Sequence, residues 1–528
     1  MTEENTVEGA ASQGVSRRTI MKGAAWTVPA LMVATAAPAY ASSCAKGKWS
    51  AVGRGKMLSG GLFNVNLDTL ASVNGTMAVV PNAVGTQPET GFAFGQGAAH
   101  PADPDIHHNP LDVSALGAVN VNATGLTTTL SAILGVVTPA DTGVVNQFGL
   151  AQSDGLSQGA SGYVDDSGTV RLQPNTGYPT FASLDLKALL TPILGGSSAG
   201  FLANVTNLNL QIGAVMGRAA LEQQCNTVIN PTGYTLSRDY LLAHLRLVLT
   251  SPLVGSLITT LASAVGAVLN NAVVNTLAGA VALLLYGPSG KSQVGIDTSL
   301  ITGQIPSAPT QPIQMNLGAG TVTVDLSTLF SNNADPFGAA SSPWLSGRAA
   351  NTALFVDYPL PGAAIGNFTS GVVASLQGIL LDAVYVEVRP NNGSPWVRYS
   401  LRSLQSLPGL GSGLITPVIN LLNGVVIGAA VTAAIDAVSG LLSSVFGALT
   451  TIINIKLNEQ NLPQDNVPNP WGTKAGPGRW SAGGAQPLPA GRYDVAALGI
   501  HAVNALPAGQ GVLDLFLARG SVGPHVSI

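Results

Sequence analysis

Charged side chains are scarce in this chain of 528 residues: Asp, Glu, Lys and Arg make up 9% of it, against about 25% in ordinary soluble domains. The formal net charge is -4, so the chain lacks the basic surface that nucleic-acid binding requires. Aromatic residues make up 5%, which is low for a surface that stacks on sugars. The composition therefore excludes a nucleic-acid partner and disfavours a carbohydrate-binding surface.

Cysteine is nearly absent, with Cys44 and Cys225 as the two examples. An even count in an exported chain favours a disulfide, and we predict that these two residues are bonded. Closing so long a loop would stabilise the fold by about 4–5 kcal/mol on the chain-entropy model. The alternatives are two unpaired thiols or a lipid anchor on Cys44.

The N-terminus carries an export signal. The sequence SRRTIMK at 16–22 resembles the twin-arginine motif, with Arg17 and Arg18 as its arginines. The Ala-rich stretch 23–37 follows, and it is shorter than the about 20 apolar residues of a membrane span. Ala39 and Ala41 then supply the small-x-small pattern of a signal-peptidase site. We predict that residues 1–41 form a twin-arginine signal peptide cleaved after Ala41.

Short strands and turns dominate the predicted secondary structure. Apolar and polar residues alternate over 206–212, which is typical of a half-buried strand. The runs 384–389 and 396–400 flank a Pro-Asn-Asn-Gly turn, which predicts a hairpin. We predict a mainly β fold, sandwich-like or built of several sheets, with two apolar helical inserts, and α+β overall.

Two long segments lack charge. No Asp, Glu, Lys or Arg lies between Arg246 and Lys291, and Asp436 alone lies between Arg402 and Lys456. Apolar residues recur at helical spacing in both segments, which predicts helices. Internal Asn and Pro residues and the lack of basic flanks argue against membrane spans. We expect buried or self-packing helical hairpins, and contact with an envelope lipid or a partner stays open.

The length suits two to four domains after signal removal. We predict a signal peptide over 1–41 and a β-rich domain over 42–235. Strands with the first apolar helical segment are expected over 236–340. A second β-rich domain, with the other helical segment and the closing strands, is expected over 341–528.

One short pattern occurs four times: Asp, then Val or Leu, two further residues, and Leu. Its aspartates are Asp112, Asp185, Asp325 and Asp494. Asp is a favoured N-cap residue, because its carboxylate accepts hydrogen bonds from the first turn of a helix. We predict that each caps a short helical turn, with metal ligation as the alternative.

Two motifs resemble catalytic or nucleotide sites. GLSQG at 155–159 matches a nucleophile elbow around Ser157, but turn residues surround it and no partner residues are evident. Asp165 and Asp166 are the alternative hydrolase candidates. GPSGKS at 287–292 is half of a phosphate loop whose first glycine would fall on Leu285. We predict no catalytic residue, no cofactor and no nucleotide partner.

The densest group of ligand-type side chains comprises His100, Asp103, Asp105, His107 and His108. Imidazoles and carboxylates of this kind bind metals. Interspersed prolines predict an extended, solvated loop instead, and no distant residue clearly completes a site. We predict no metal, with a site at this cluster as the alternative.

Several short stretches, in this order, resemble the choice-of-anchor G family of actinobacterial surface proteins. They include NPLDVSAL at 109–116 and further segments at 143–153, 159–172, 183–186, 238–243, 251–254 and 518–524. The resemblance implies a surface ectodomain whose attachment varies between members. Because 462–465 is not a sortase motif and the chain stops at Ile528, we expect no covalent wall anchor.

Together these features predict an exported cell-surface or secreted protein with a structural or adhesive role and no catalytic activity. Its expected partners are other copies of itself or components of the cell envelope, and integral membrane insertion is not expected once the signal has been cleaved. A secreted hydrolase and an envelope-lipid-binding protein that uses the apolar helices are the alternatives.

Overall fold

The computed structural model describes residues 44–528, apart from 64, 71–73, 81–93, 96, 102, 113, 124–125, 137–144, 166–167, 169–179, 195–201, 226–232, 307–310, 332–343, 411, 462–490 and 503–511. Arg17, Arg18, Ala39, Ala41 and Asp166 lie outside the described residues, so the export signal stays a prediction.

The strands, in chain order, are β1 Trp49–Phe63, β2 Val65–Asn66, β3 Gly75–Val80, β4 Phe94–Gly95, β5 Ala98–His100, β6 Asp103–His108, β7 Asn120–Ala123, β8 Leu126–Thr129, β9 Leu134–Val136, β10 Asn146–Gln152, β11 Leu156–Gly162, β12 Thr180–Asp185, β13 Asn207–Gly213, β14 Val215–Gln223, β15 Tyr234–Leu242, β16 Leu245–Thr250, β17 Lys291–Ile296, β18 Gln304–Ile305, β19 Ile313–Asn316, β20 Thr321–Asp325, β21 Thr352–Ala353, β22 Val384–Arg389, β23 Val397–Ser400, β24 Ile453–Gln460, β25 Tyr493–Ala502, β26 Val512–Val522 and β27 Val526–Ser527.

The α-helices are α1 Leu130–Ile133, α2 Leu186–Leu194, α3 Pro252–Leu269, α4 Ala272–Tyr286, α5 Leu326–Ser331, α6 Leu354–Asp357, α7 Ala364–Ala383, α8 Leu401–Gln405, α9 Ser412–Val426 and α10 Ala429–Ile452. Short 3-10 turns lie at Ser114–Ala118, Gly287–Ser289, Thr298–Leu300 and Trp344–Gly347.

The strands form several sheets, in which almost every pairing is antiparallel. The largest is nine-stranded, in the order β21-β24-β25-β26-β1-β3-β4, with β2 and β27 attached to β1. A six-stranded sheet has the order β15-β14-β11-β10-β6-β5, and a seven-stranded sheet the order β18-β19-β20-β16-β13-β12-β9. The long β1 pairs with β26 from Gly53↔Val522 to Phe63↔Val512, so strands from the two ends of the described chain are neighbours.

Glycines form the interface between the nine-stranded and six-stranded sheets. A side chain added at Gly53 would overlap the carbonyl oxygen of Gln158, and one added at Gly159 would overlap that of Arg54. Glycine permits this close approach because it has no Cβ. Gly55, Gly149, Gly217 and Gly520 meet the opposite backbone in the same way. The two sheets therefore pack backbone against backbone as a sandwich.

A second layer consists of helices. α10 packs on α3 and α7, and α9 contacts α3, α4 and α7. The helix α3 begins at Pro252 because Ser251 caps it, with Oγ accepting from the Leu253 amide at 3.2 Å. The buried residues of α3 recur at helical spacing: Val254, Leu257, Leu261 and Val265. These faces join the sheets in one continuous hydrophobic core.

The predicted fold class is confirmed, since antiparallel sheets dominate and helices complete an α+β structure. The two charge-poor segments, between Arg246 and Lys291 and between Arg402 and Lys456, each contain more than one helix. A further long apolar helix, α7, was not predicted from the sequence. The predicted disulfide is also confirmed, with Cys44 and Cys225 bonded across a sequence separation of 181. The domain boundaries stay a prediction.

The four recurrent aspartates differ in their structural roles. Asp185 Oδ1 accepts from the Ala188 amide at 2.9 Å, and Asp325 Oδ1 accepts from the Thr328 amide at 3.1 Å, so both cap helices as predicted. Asp112 precedes a 3-10 turn. The prediction was wrong for Asp494, which lies inside β25. There the neighbouring strands β24 and β26 pair with this segment on both edges and prevent a helical turn.

Candidate functional site

Buried charges occupy one end of the nine-stranded sheet. Asp494 on β25 accepts from Arg519 Nε on β26 at 2.8 Å and from Arg492 Nε at 3.0 Å. Arg519 also donates from Nη1 to Ser59 Oγ on β1 at 2.8 Å, and Ser59 donates to Asp68 Oδ1 at 2.5 Å. Every member of this arginine–aspartate cluster is almost inaccessible to solvent. It links β1, β25 and β26 through hydrogen bonds to charged groups.

The charges of the arginine–aspartate cluster depend on one another. Burial alone would raise the pKa of Asp494, but the positive charges of Arg492 and Arg519 outweigh it and hold the pKa below its ordinary value. Burial lowers the pKa of Lys56, on the adjacent β1, to about 8, although the Asp68 carboxylate opposes the shift. The cluster therefore contains an ionised carboxylate that is stable only while its arginines remain in place.

A second buried group joins β24, β25 and β26. His501 Nε2 lies 2.6 Å from Glu459 Oε2, and His501 Nδ1 lies 2.8 Å from Asp514 Oδ1. Glycine is required at position 499, because a side chain there would occupy the place of the Glu459 carboxylate. Burial alone would lower the pKa of His501, but the Glu459 charge and the hydrogen bond to Asp514 raise it. The two carboxylates therefore favour the protonated form of the imidazole.

This Glu459–His501–Asp514 group engages both ring nitrogens, so the imidazole has no lone pair to offer a metal. Within the part of the chain that the structure describes, no group of three or more His, Cys, Asp and Glu is placed to hold a metal ion. The group can store a proton and cross-link three strands, and its geometry resembles the base-and-orienter half of a catalytic triad.

Ser157 lies inside β11 and is fully buried, whereas the sequence had suggested turn surroundings. Its Oγ is 2.7 Å from His525 Nε2, and Gln223 Nε2 is 3.3 Å from the other ring nitrogen. Burial, with a contribution from Arg54, lowers the pKa of His525 to about 4. A hydroxyl, an imidazole and an amide in series resemble a hydrolase constellation. However, a serine that solvent does not reach cannot attack a substrate in this conformation.

The predicted histidine–aspartate cluster lies in one hairpin. His100 ends β5 and pairs with Asp103, and Asp103, Asp105, His107 and His108 belong to β6. The predicted loop was wrong: β6 is a strand because His107 and His108 pair with Gly149 and Phe148 of β10. Burial raises the pKa of Asp105, with Asp103 adding to the shift. Asp165 follows β11, and its backbone carbonyl accepts from the Gly168 amide at 2.9 Å.

A cavity of about 760 Å³ opens between β19, α5 and α7. Its lining includes the apolar Ile313, Leu329 and Phe368 and the polar Asn367 and Ser370. None of the described residues that line it is ionisable. These residues could accept an uncharged group and supply no acid or base.

Sequence reasoning missed both buried ionic groups. The signal that could have found them is a concentration of charge within strand-like runs: Asp494 and His501 lie in one run, and Asp514 and Arg519 in the next. In a chain with so few charges, those inside apolar strands are expected to pair with one another, because an unpaired buried charge is costly.

A family model described as "Domain of unknown function (DUF8394)" matches residues 53–391, which is more than half of the chain. No curated protein and no solved structure matches the chain. The matched region includes β1, most of the three large sheets and the helices α3, α4 and α7. It excludes the carboxylates and histidines of β24, β25 and β26.

Proposed function

The chain belongs to the family described as a domain of unknown function (DUF8394), and we propose that this member is an exported structural or adhesive protein of the cell surface. It acts by associating with the cell envelope or with other copies of itself, and it performs no catalysis. The observation that carries this proposal is the exposed helical layer, which contains very few charged residues.

Four helices are long and apolar enough, by length and composition, to cross a membrane. Only 22% to 39% of the residues in their apolar windows are buried inside the protein. The remaining surface carries mainly Ala, Gly, Ser, Thr, Val and Leu, and α10 exposes Asp436 as its single charge. α7 adds the exposed Asp382, which pairs with Arg402. A large surface with so few charges is typical of a protein that associates with another surface.

Helical glycines support the same interpretation. At Gly255, Gly279, Gly440 and Gly447 an added Cβ would meet nothing within 4 Å. Glycine in a helix costs about 1 kcal/mol relative to alanine, and the packing of these helices within the protein gives no reason for it. A closely packed external partner would supply that reason, because small residues let two surfaces approach.

The disulfide and the N-terminal motif support export. Cys44 and Cys225 form their bond, and structural disulfides persist in oxidising compartments outside the cytoplasm. The resemblance to choice-of-anchor G proteins supports a place on an actinobacterial surface. Twin-arginine export carries folded proteins, which suits a sandwich whose first and last described strands pair.

The test is fractionation of native cells, with mass spectrometry of the N-terminus and of the cysteine linkage. We expect a chain that begins at Ser42, contains the Cys44–Cys225 bond, and is found in the medium or in a salt-released envelope fraction. An uncleaved chain in the cytoplasm, with reduced cysteines, would refute the proposal. Analytical ultracentrifugation of the released protein then measures self-association.

A second candidate function is lipid binding at the envelope, favoured by the length and apolar composition of the four helices. Its distinguishing result in the same fractionation is resistance to salt and alkali, with release by detergent.

A further inference from the structure

One end of the helical layer exposes leucines. At the end of α4, Leu283 is 58% exposed and Leu284 is 45% exposed. Leu414, at the start of α9, is 36% exposed. The loop at Gly409 lies beside Leu284, since an added Cβ there would be 3.2 Å from Leu284 Cδ1. These leucines lie outside the core although α4 and α9 pack on each other.

Two cations lie on β17 and β22, two strands that contact α4. After α4 the chain folds back on itself: a Cβ added at Gly290 would be 2.6 Å from the carbonyl oxygen of Ala282. The next residue, Lys291, begins β17 and is paired in register with Arg389 of β22. Two like charges directly opposite each other on antiparallel strands destabilise the pairing. The fold nevertheless keeps both.

Arg398 lies on β23, in the same three-stranded sheet as Lys291 and Arg389, and it has acidic partners that those two residues lack. Arg398 Nε donates to Glu387 at 3.0 Å and its Nη1 donates to Asp297 at 3.2 Å. Lys291 and Arg389 form no ion pair with any residue that the structure describes. Arg389 instead lies over the Trp396 ring, with its guanidinium carbon 4.4 Å from the ring centroid. Two cations therefore remain without acidic partners.

Acidic residues are absent from three segments at this end of the molecule, and the nearby Glu387 on β22 accepts from Arg398 instead. Neither 283–291, nor 389–397, nor 406–414 includes Asp or Glu. We call the described residues of these segments, 283–291, 389–397, 406–410 and 412–414, the basic tip. The basic tip combines exposed leucines, a tryptophan and two unneutralised cations.

We propose that the basic tip docks on an anionic lipid membrane. The leucines enter the boundary of the apolar layer, Trp396 lies at the level of the headgroups, and Lys291 and Arg389 bind the lipid phosphates. Each group matches a known preference: apolar side chains and Trp partition to the interface, and basic residues are attracted to anionic headgroups. The proposal rests on the envelope location proposed above, and it names the surface and the lipid class.

The exposed leucines favour a membrane over an acidic polysaccharide as the ligand of the basic tip. A polysaccharide would use the two cations and the tryptophan, but it would gain nothing from exposed aliphatic side chains. A membrane uses all three kinds of residue. The basic tip also needs no spanning helix, because docking at an interface leaves the helical layer folded against the sheets.

The experiment measures binding of the disulfide-bonded protein to vesicles by flotation. Vesicles of phosphatidylcholine are compared with vesicles that contain phosphatidylglycerol. We expect binding to the anionic vesicles that weakens as salt is added, with little binding to phosphatidylcholine alone. Absence of binding to anionic vesicles, or equal binding to both kinds, would overturn the proposal.

Two variants test the residues. Lys291→Gln with Arg389→Gln should weaken binding about 30-fold, since each basic residue near an anionic surface contributes about 1 kcal/mol. Leu283→Asn with Leu284→Asn should weaken it on the order of tenfold or more, because apolar area no longer leaves water. The matched controls are Lys46→Gln with Lys48→Gln for charge, and Val356→Asn with Val526→Asn for exposed apolar residues outside the four long helices.

The controls should bind as the unmodified protein does, and circular dichroism should show that every variant is folded. Loss of binding in the controls, or retention in the tip variants, contradicts the proposal. Binding to a soluble acidic polysaccharide that depends on Lys291 and Arg389, without vesicle binding, would replace the membrane with that polymer. If the protein does not bind vesicles but is found in the cell envelope, the membrane proposal is wrong and the proposed function is unaffected. If the protein is found in the cytoplasm, the proposed function itself is wrong.

Discussion

The β-sandwich and the helical layer distribute polar and apolar residues in opposite ways. In the nine-stranded sheet, charged groups such as Asp494, Arg519 and His501 are buried. In the helical layer, side chains such as Leu283 and Ile427 are exposed, and charge is nearly absent. Burying a charge is costly unless it is paired, and exposing apolar surface is unfavourable in water. The buried polar groups of the sandwich bind one another, whereas the exposed apolar groups of the helices are available for the external contact that we propose.

Glycine shows the same difference. In the sandwich, Gly53 and Gly159 lie against the opposite backbone. In the helical layer, Gly440 and Gly447 face open space. Packing inside the protein explains the first pair. Packing among the described residues does not explain the second pair, and the external partner that we propose would explain it.

The largest expected effect concerns the covalent link that holds the N-terminal end of the sandwich. Replacing Cys44 and Cys225 together by Ser should destabilise the protein by about 4–5 kcal/mol, because the unfolded chain regains the entropy of a long loop. Chemical denaturation with and without reductant measures this. The double variant should be insensitive to reductant. An unchanged denaturation midpoint would show that the sandwich does not depend on the link.

Asp494→Asn should cost about 3–5 kcal/mol, since it leaves Arg492 and Arg519 buried without their anion. The matched control is Asp382→Asn, which breaks an exposed ion pair with Arg402 and should cost no more than about 1 kcal/mol. Urea unfolding of both variants measures the contrast. Equal losses would mean that buried charge in the sheet contributes no more than surface charge.

Two histidines of the sandwich, His501 and His525, should respond to pH in opposite directions. The folded-state pKa of His525 is about 4, below the ordinary value of 6.5, so its stabilising contribution is present above pH 6.5 and is lost as pH falls towards 4. The loss should be about 2 kcal/mol after allowance for partial exposure. The folded-state pKa of His501 is raised above 6.5, so its contribution is present below that pH and is lost as pH rises through the folded value.

Stability measured against pH checks both histidines. His525→Gln should remove the loss between pH 6.5 and 4, and His501→Gln should remove the loss on the alkaline side. If His525→Gln leaves the acid limb unchanged, another group controls it.

The smallest expected change in stability concerns the glycines. Gly440→Ala should stabilise the isolated protein by about 0.5–1 kcal/mol, because alanine favours the helix and meets no neighbour. Gly159→Ala should destabilise it by about 1–3 kcal/mol through overlap with the Arg54 backbone. Thermal unfolding of the two variants measures the opposite signs. Destabilisation by Gly440→Ala would show that this face already packs inside the folded protein.

Local patterns were sufficient for much of the fold. Alternation over 206–212 predicted β13, the turn after Arg389 predicted the β22–β23 pair, and helical spacing predicted α3. The caps at Asp185 and Asp325 followed from the chemistry of a single side chain. These features depend on contacts between residues that are close in the sequence, so they can be read from short segments.

The candidate sites could not be predicted in the same way. Glu459 and His501 are 42 residues apart, and Ser157 and His525 are 368 apart. The pattern that placed Asp494 in a helical cap was indistinguishable from the one that correctly placed Asp325. What differs is whether neighbouring strands pair with the segment, and that depends on residues distant in the chain.

The sequence by itself determined the class of the fold, the scarcity of charge, the two nearly uncharged segments and the pairing of the two cysteines. Composition and hydrophobic periodicity are properties of short segments, so they can be read without the tertiary structure. Two cysteines allow a single intramolecular pairing. Tertiary structure alone decided which charges are buried together, which glycines lie between sheets, and which leucines remain outside. The reason is that strand order and layer packing bring together residues from both ends of the chain, and burial is a property of that assembly and of no single segment.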